Sequence, residues 1–325
     1  MPCPSCASCR VLPRPRPLDG DFDYGRSVRR DDVIVECQGA RCAAWHYCPD
    51  RPGSVPCVVI GHGFDGVREQ RLDAYAVRFA EAGLAALVFD YRYFGSSEGR
   101  PRQVVDNKAQ LEDWRAAIAR ARALDHVDPG RIALWGTSTS GGHVVKLAAE
   151  DAQIAAVVAQ VPLADGIAQL RSTPIGKTLR LLWAALKDRV GAAFGRDPLT
   201  VPAVGRPGAL AAVTSPDALT GLDRITPAET TFVNEVAARF ALGTALYRPG
   251  RRARDVRCPL LVCIADGDGV IPQKPALAMV DAAEAGELRR YPFGHYGMYV
   301  GDGFERAVRD QTAFLCRALH NGSAA

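Results

Sequence analysis

The segment "LWGTSTSGGH" (134–143) places two serines, Ser138 and Ser140, one threonine apart and surrounds them with Gly136, Gly141 and Gly142. A serine hydroxyl is a weak nucleophile until a neighbouring base takes its proton. It must also stand on a sharp strand-to-helix turn, where the residues two before and two after it crowd each other and have to be small. Ser138 satisfies this with Gly136 and Ser140, and Ser140 does so with Ser138 and Gly142. Strand register separates them. "RIALWG" (131–136) reads as an apolar strand, so Ser138 falls on the turn and Ser140 in the first turn of the next helix. Ser138 is the expected nucleophile.

The sequence has 6 histidines to supply a base. His295, in "PFGHYGMY", follows the last strand, where a base closing over the carboxyl edge of a sheet would come. His62 lies in "GHGF", His143 in the helix after the serine turn, His46 in an N-terminal hairpin, and His126 and His320 near element ends. A carboxylate is needed to hold the imidazole tautomer and support its charge. "CIADGDGVIP" offers Asp266 and Asp268. Asp266 follows its strand so closely that it sits at the edge. Asp268 is better placed to reach across, and is favoured.

The elements that must position these groups alternate strand and helix from about residue 32, the pattern of a mostly parallel sheet covered on both faces. "VIVEC" and "CAAWHYC" bracket Gln38-Gly39 as a hairpin, and "CVVIG", "LAALVFD", "RIALWG" and "IAAVVAQV" are buried strands. The rhythm stops near residue 164 and resumes at "PLLVCIAD", which begins at Pro259. Between them, Ile175, Leu179, Leu182, Trp183, Leu186, Val190 and Phe194 form one apolar stripe at helical spacing. "PAETTFVNEVAARFAL" (227–242) reads as a second, capped helix. The expected organisation is an N-terminal arm over 1–31, a core over 32–164, a helical lid over 165–256, and the rest of the core over 257–321. The stripe is expected to lie over Ser138, with Trp183 and Leu186 forming the substrate pocket; homodimerisation is the other use for such a surface.

Four signatures in order, "GHGFDG" (61–66), "FDYRYFGSSEG" (89–99), "LWGTSTSGG" (134–142) and "DGDGVIP" with "GHYGMY" (266–272, 294–299), resemble the α/β-hydrolase superfamily. The likeness is nearest to its lidded esterase, serine-aminopeptidase-like and X-Pro-dipeptidyl-peptidase-like branches, and covers residues 32 to 320 apart from the lid. It implies an α/β fold and the chain order Ser138, Asp268, His295. The family's "G-x-x-D-x-x-x-P" pattern supports Asp268. The resemblance also implies an oxyanion hole from the backbone N–H groups of Phe64 and Thr139, with Gly63 allowing close approach. Ser140 in place of glycine departs from the usual form but occurs in relatives with "S-x-S-G-G".

The implied activity is hydrolysis of a carboxylic ester or thioester through an acyl-enzyme, with no cofactor. The alternative is an acyltransferase or tailoring enzyme of secondary metabolism taking a polyketide-type or carrier-bound acyl group. A peptidase using Glu229 or Glu235 to hold an amino terminus, and a non-catalytic binding protein, are lesser readings.

Composition agrees with an enzyme acting on small molecules. Of 325 residues, 48% are hydrophobic and 23% charged, enough to bury a large core. A net charge of +4, from 40 basic and 36 acidic residues, is too balanced for a nucleic-acid partner. No stretch approaches the roughly 20 apolar residues of a membrane span, and no apolar region marks a signal peptide. A cytoplasmic protein is therefore expected. "CPSCASC" (3–9) has the two-residue spacing of a metal knuckle but lacks a fourth ligand. It reads as part of a disordered Pro/Arg-rich arm, with no metal site.

Overall fold

The computed structural model describes residues 28–320. The cysteine knuckle spacing and most of the N-terminal arm lie outside the described residues. Strand β1 (Arg29–Cys37) takes in Arg29, Arg30 and Asp31, which the sequence reading left in the arm. They are recruited by antiparallel pairing with Cys48, Tyr47 and His46 of β2 (Ala40–Cys48). Between the two strands, Gln38 (φ 49°) and Gly39 (φ 78°) both adopt left-handed backbone, as a two-residue hairpin requires.

The chain then alternates through β3 (Val55–Gly61), α1 (Leu72–Glu81), β4 (Ala85–Phe89), α2 (Asn107–Arg122), β5 (Val127–Thr137), α3 (Thr139–Ala148) and β6 (Ile154–Gln160). The eight-stranded sheet has the order β1-β2-β4-β3-β5-β6-β9-β10, with β9 (Leu260–Ala265) and β10 (Gly286–Tyr291) completing it. From β4 through β3, β5, β6 and β9 to β10 every pairing is parallel, and β2 joins antiparallel. Strands β3, β4 and β9 are buried along their whole length, which explains why they read as unbroken apolar runs. One apolar layer includes Leu111 and Trp114 of α2 and Val144 of α3. The other includes Tyr75 and Phe79 of α1 and Phe304 and Phe314 of α9 (Gly301–His320). This is the α/β-hydrolase architecture.

Between β6 and β9 the chain forms α4 (Gly166–Ser172), α5 (Ile175–Ala193), β7 (Thr200–Val201), α6 (Ala218–Ile225), β8 (Val236–Ala237), α7 (Phe240–Leu246) and a 3-10 turn over Pro249–Asp255. Two expectations fail here. Most of residues 227–242 is not helical, and the helix lies earlier, at α6. The Glu69 carboxylate accepts from Thr230 Oγ1 and from the backbone and hydroxyl of Thr231, while Asn234 both donates to and accepts from the Val204 backbone. These bonds tie the segment down in a non-helical course.

The second correction concerns α5. Its apolar stripe faces outward: Ile175 is 73% exposed, Trp183 59% and Leu186 49%. The buried face carries Thr178, Leu181, Ala184, Ala185 and Asp188. Asp188 explains the choice. Its carboxylate accepts from Arg239 Nε at 2.7 Å and Nη2 at 2.7 Å, and from the backbone N–H groups of Arg239 and Leu199. Burial alone would raise this carboxyl, but those hydrogen bonds and the arginine charge hold it below the usual range. On the same helix, Lys177 donates to the Ala212 carbonyl and to Thr214 Oγ1. Satisfying these polar anchors rotates the helix and leaves the larger apolar face outside. Removing one partner of such a buried pair typically costs 3–5 kcal/mol. Asp188→Ala is therefore expected to lower unfolding free energy by about 3 kcal/mol or more, read from the urea midpoint, with proteolysis appearing first within 165–256. A loss below about 1 kcal/mol would show that the pair is dispensable.

Candidate active site

Ser138 stands between the end of β5 and the start of α3 with φ 57° and ψ −119°. Side chains other than glycine rarely take this backbone region, and its cost is of order 1–3 kcal/mol. Neighbouring backbone holds the turn: Ser138 N–H donates to Gln160 O at 2.9 Å, and its carbonyl accepts from Gly141 and Leu163. Gly136 is required by space. A Cβ there would come 2.2 Å from the Ser140 carbonyl oxygen.

The two serines differ sharply in environment. Ser140 is fully buried, and its hydroxyl donates to the His62 carbonyl at 2.5 Å and contacts the Tyr91 hydroxyl. Tyr91 in turn accepts from Trp114 Nε1 at 2.6 Å. Ser140 is thus a structural tie. Ser138 instead lines a cavity of about 80 Å³ together with His295.

Asp268 and His295 come from the loops after β9 and β10. His295 Nδ1 is 2.8 Å from Asp268 Oδ2. The other carboxylate oxygen accepts from the backbone N–H groups of Val270 and Ile271. Burial would push the Asp268 carboxyl up, but the His295 charge and hydrogen bond, with the two backbone donors, hold it lower than usual. The carboxylate therefore stays ionised beside the imidazole. Asp266 points elsewhere, pairing with Arg290 at the exposed sheet edge at 2.7 Å.

Strands β3 and β5 are neighbours with Gly61 opposite Gly136, so the loop after β3 emerges beside Ser138. A Cβ on Gly63 would meet Ser138 Cβ at 3.0 Å, a tight contact that glycine relieves. This brings Phe64 to the cavity wall. Thr139 is the first residue of α3, so its N–H has no acceptor within the helix. His62 braces the same loop through Nδ1 on the Gly63 carbonyl and Nε2 accepting from Tyr91 N–H. Burial lowers its pKa to about 4, which keeps it neutral.

Neither Trp183 nor Leu186 reaches this cavity. Its apolar wall comes from Val204, Val213, Leu222, Ile225 and Phe232, in the stretch following α5, and from Val270. Sequence reading passed over this wall because it is assembled from short segments without periodicity. Glu229 and Glu235 do not line it either, and Glu235 accepts from Thr200 Oγ1. Among the described residues no cluster of His, Cys, Asp and Glu could hold a metal ion, and no helix is long and apolar enough to cross a membrane.

Residues 38–285 match the X-Pro dipeptidyl-peptidase (S15) family. The chain belongs to this S15 family. A relative named quorum-quenching protein AidA, from Acinetobacter baumannii, is 44% identical over 89% of this chain and 95% of its own length. The thiohydrolase aneE of Aspergillus aculeatus is 28% identical over 80% of this chain and 85% of its own. Among solved structures, the α/β-hydrolase GrgF from Penicillium superposes with a TM-score of 0.77 at 24% identity, covering 90% of this chain and 99% of that one. This S15 member is a serine hydrolase in its fold and family.

The elbow of this S15 chain depends on the space at Gly136. Gly136→Ala is expected to destabilise the protein by about 1–3 kcal/mol through overpacking and to reduce labelling of Ser138 by a fluorophosphonate. Wild-type melting and labelling together would show that the turn relaxes around a methyl group.

Proposed function

We propose that the protein hydrolyses carboxylic esters or thioesters of small acyl substrates through Ser138, His295 and Asp268. The observation that carries this reading is the strained turn that presents Ser138 to a cavity shared with His295, whose other ring nitrogen is bonded to a satisfied carboxylate. His295 Nε2 takes the Ser138 proton as Oγ attacks the acyl carbon. Asp268 fixes the Nδ1–H tautomer and supports the imidazolium charge. The N–H groups of Phe64 and Thr139 receive the oxyanion, each such donor being worth roughly 3 kcal/mol in the transition state. The bond to the leaving oxygen or sulfur then breaks, and the proton on His295 goes to that group. Water, deprotonated by His295, attacks the acyl-enzyme and releases the acid and Ser138.

The apolar wall fits an acyl chain, and similarity to a protein named thiohydrolase supports a thioester as well as an ester. Acyl transfer to an alcohol or amine is the second reading, supported by similarity to proteins named polyketide transferase.

Ser138→Ala is expected to lose on the order of 10⁴-fold or more in kcat with thioester substrates, since members of such a triad act as a unit. Ser140→Ala should keep far more activity, and Asp268→Asn should be severely impaired while Asp266→Asn is mild. Turnover is read on a panel of acyl esters and thioesters, with product analysis in the presence of an alcohol to detect transfer. An active Ser138→Ala protein would rule the mechanism out.

A further inference from the structure

The cavity wall contains one carboxyl group that the acyl chemistry above does not use. Asp65 follows Phe64 in the loop after β3 and lines the same cavity as Ser138 and His295. It is partly buried, and its Oδ2 is shielded from solvent with no hydrogen-bond partner among the described residues. Other buried carboxylates of this chain are well supplied. Asp268 has the His295 ring and two backbone donors, and Asp90 accepts from the backbone of Arg68 and Ser96 beside the Arg68 guanidinium. Burial pushes the Asp65 carboxyl up to about 7, and only its own backbone N–H works against the shift. Polar groups buried in native proteins are nearly always hydrogen-bonded, so an unpaired carboxyl on a cavity wall asks for a donor from whatever enters.

Resting on the acyl-hydrolase reading, we propose that Asp65 is a specificity-determining residue. Its carboxyl accepts a hydrogen bond from a hydroxyl or amide N–H that the substrate carries within a few bonds of the reacting carbonyl. The placement follows from chain geometry. Consecutive Cα atoms are about 3.8 Å apart, so Asp65 sits one residue from the Phe64 N–H, and it lines the cavity that Ser138 and His295 share. The cavity also has an apolar side, with Val204, Leu222, Ile225 and Phe232. Tyr296 lines the same cavity; burial, followed by the Asp65 charge, pushes its phenol up and keeps it protonated. A site built to hydrogen-bond a substrate group discriminates against the analogue lacking that group, because the buried partner is then left unpaired.

The test compares thioesters of equal chain length: a 3-hydroxyacyl, an N-acylaminoacyl and a plain acyl compound. Wild-type protein should prefer one donor-bearing compound over the plain one by roughly tenfold or more in kcat/KM, and which of the two it prefers identifies the donor. Asp65→Ala should reduce that ratio to within about threefold, while Asp65→Asn, which keeps the shape and one acceptor oxygen, should retain part of it. Equal kcat/KM for all three compounds in the wild type, or an unchanged ratio in Asp65→Ala, would overturn the assignment and leave the Ser138 chemistry standing. The intact thioesters are also titrated calorimetrically into Ser138→Ala and Ser138→Ala/Asp65→Ala proteins. This reads the same preference as binding, whether or not Ser138 proves to be the nucleophile, and equal affinities in the first protein would likewise overturn it.

Discussion

A serine at the end of a parallel strand cannot hold its hydroxyl over the sheet edge unless the backbone reverses there, and an L-residue resists that reversal. Every feature near the site bears on how Ser138 is kept at φ 57°. The end of β6 and the loop after it take both its backbone groups, through Gln160 and Leu163. Gly136 and Ser140 leave room for each other, and Gly63 allows the loop after β3 to come against the serine. The burial of β3 and of the ends of β5 and β6 nearest the turn makes those anchors rigid, so that the strain of one residue is offset by packing of the sheet.

Beneath the turn, buried polar side chains are tied into hydrogen-bond networks. Tyr91, Trp114, Ser140 and the His62 carbonyl form one chain of hydrogen bonds beneath the site. On the opposite layer, Gln160 Oε1 accepts from Tyr75 and Gln311, and Gln311 also accepts from Trp135 Nε1. The two networks meet the strands that carry Ser138. Because an unpaired buried group is costly, each restricts the alternatives open to the loops above. Asp65 is the exception on the cavity wall, and for that reason it points to a ligand.

The segment between β6 and β9 follows a different logic. It has few long apolar elements to bury, and side-chain hydrogen bonds, most of them to backbone, fix much of its course: Glu69 to Thr230 and Thr231, Asn234 to Val204, and Asp188 to Arg239 and Leu199. The consequence is a cavity wall built from turns and from the short α6. Helix α5, the longest element of the segment, stands with its larger apolar face outward.

What the sequence determined by itself was everything governed by local pattern. Unbroken apolar runs marked the strands, the glycines around Ser138 and Ser140 marked the turn, and the order of serine, acid and histidine signatures marked the architecture. Strand register also placed Ser138 on the turn and Ser140 in the helix, since that depends only on where an apolar run ends. Tertiary structure alone decided which face of α5 is buried, because a single carboxylate, Asp188, found its partner 51 residues away in Arg239. It likewise decided that residues 227–239 are not helical before α7, since the Glu69 and Asn234 bonds outweigh a helical propensity that is weak in any case. The cavity wall and the unpaired Asp65 were beyond sequence reading for the same reason. Both are made by residues far apart in the chain, and only long-range contact shows which polar groups are left without partners.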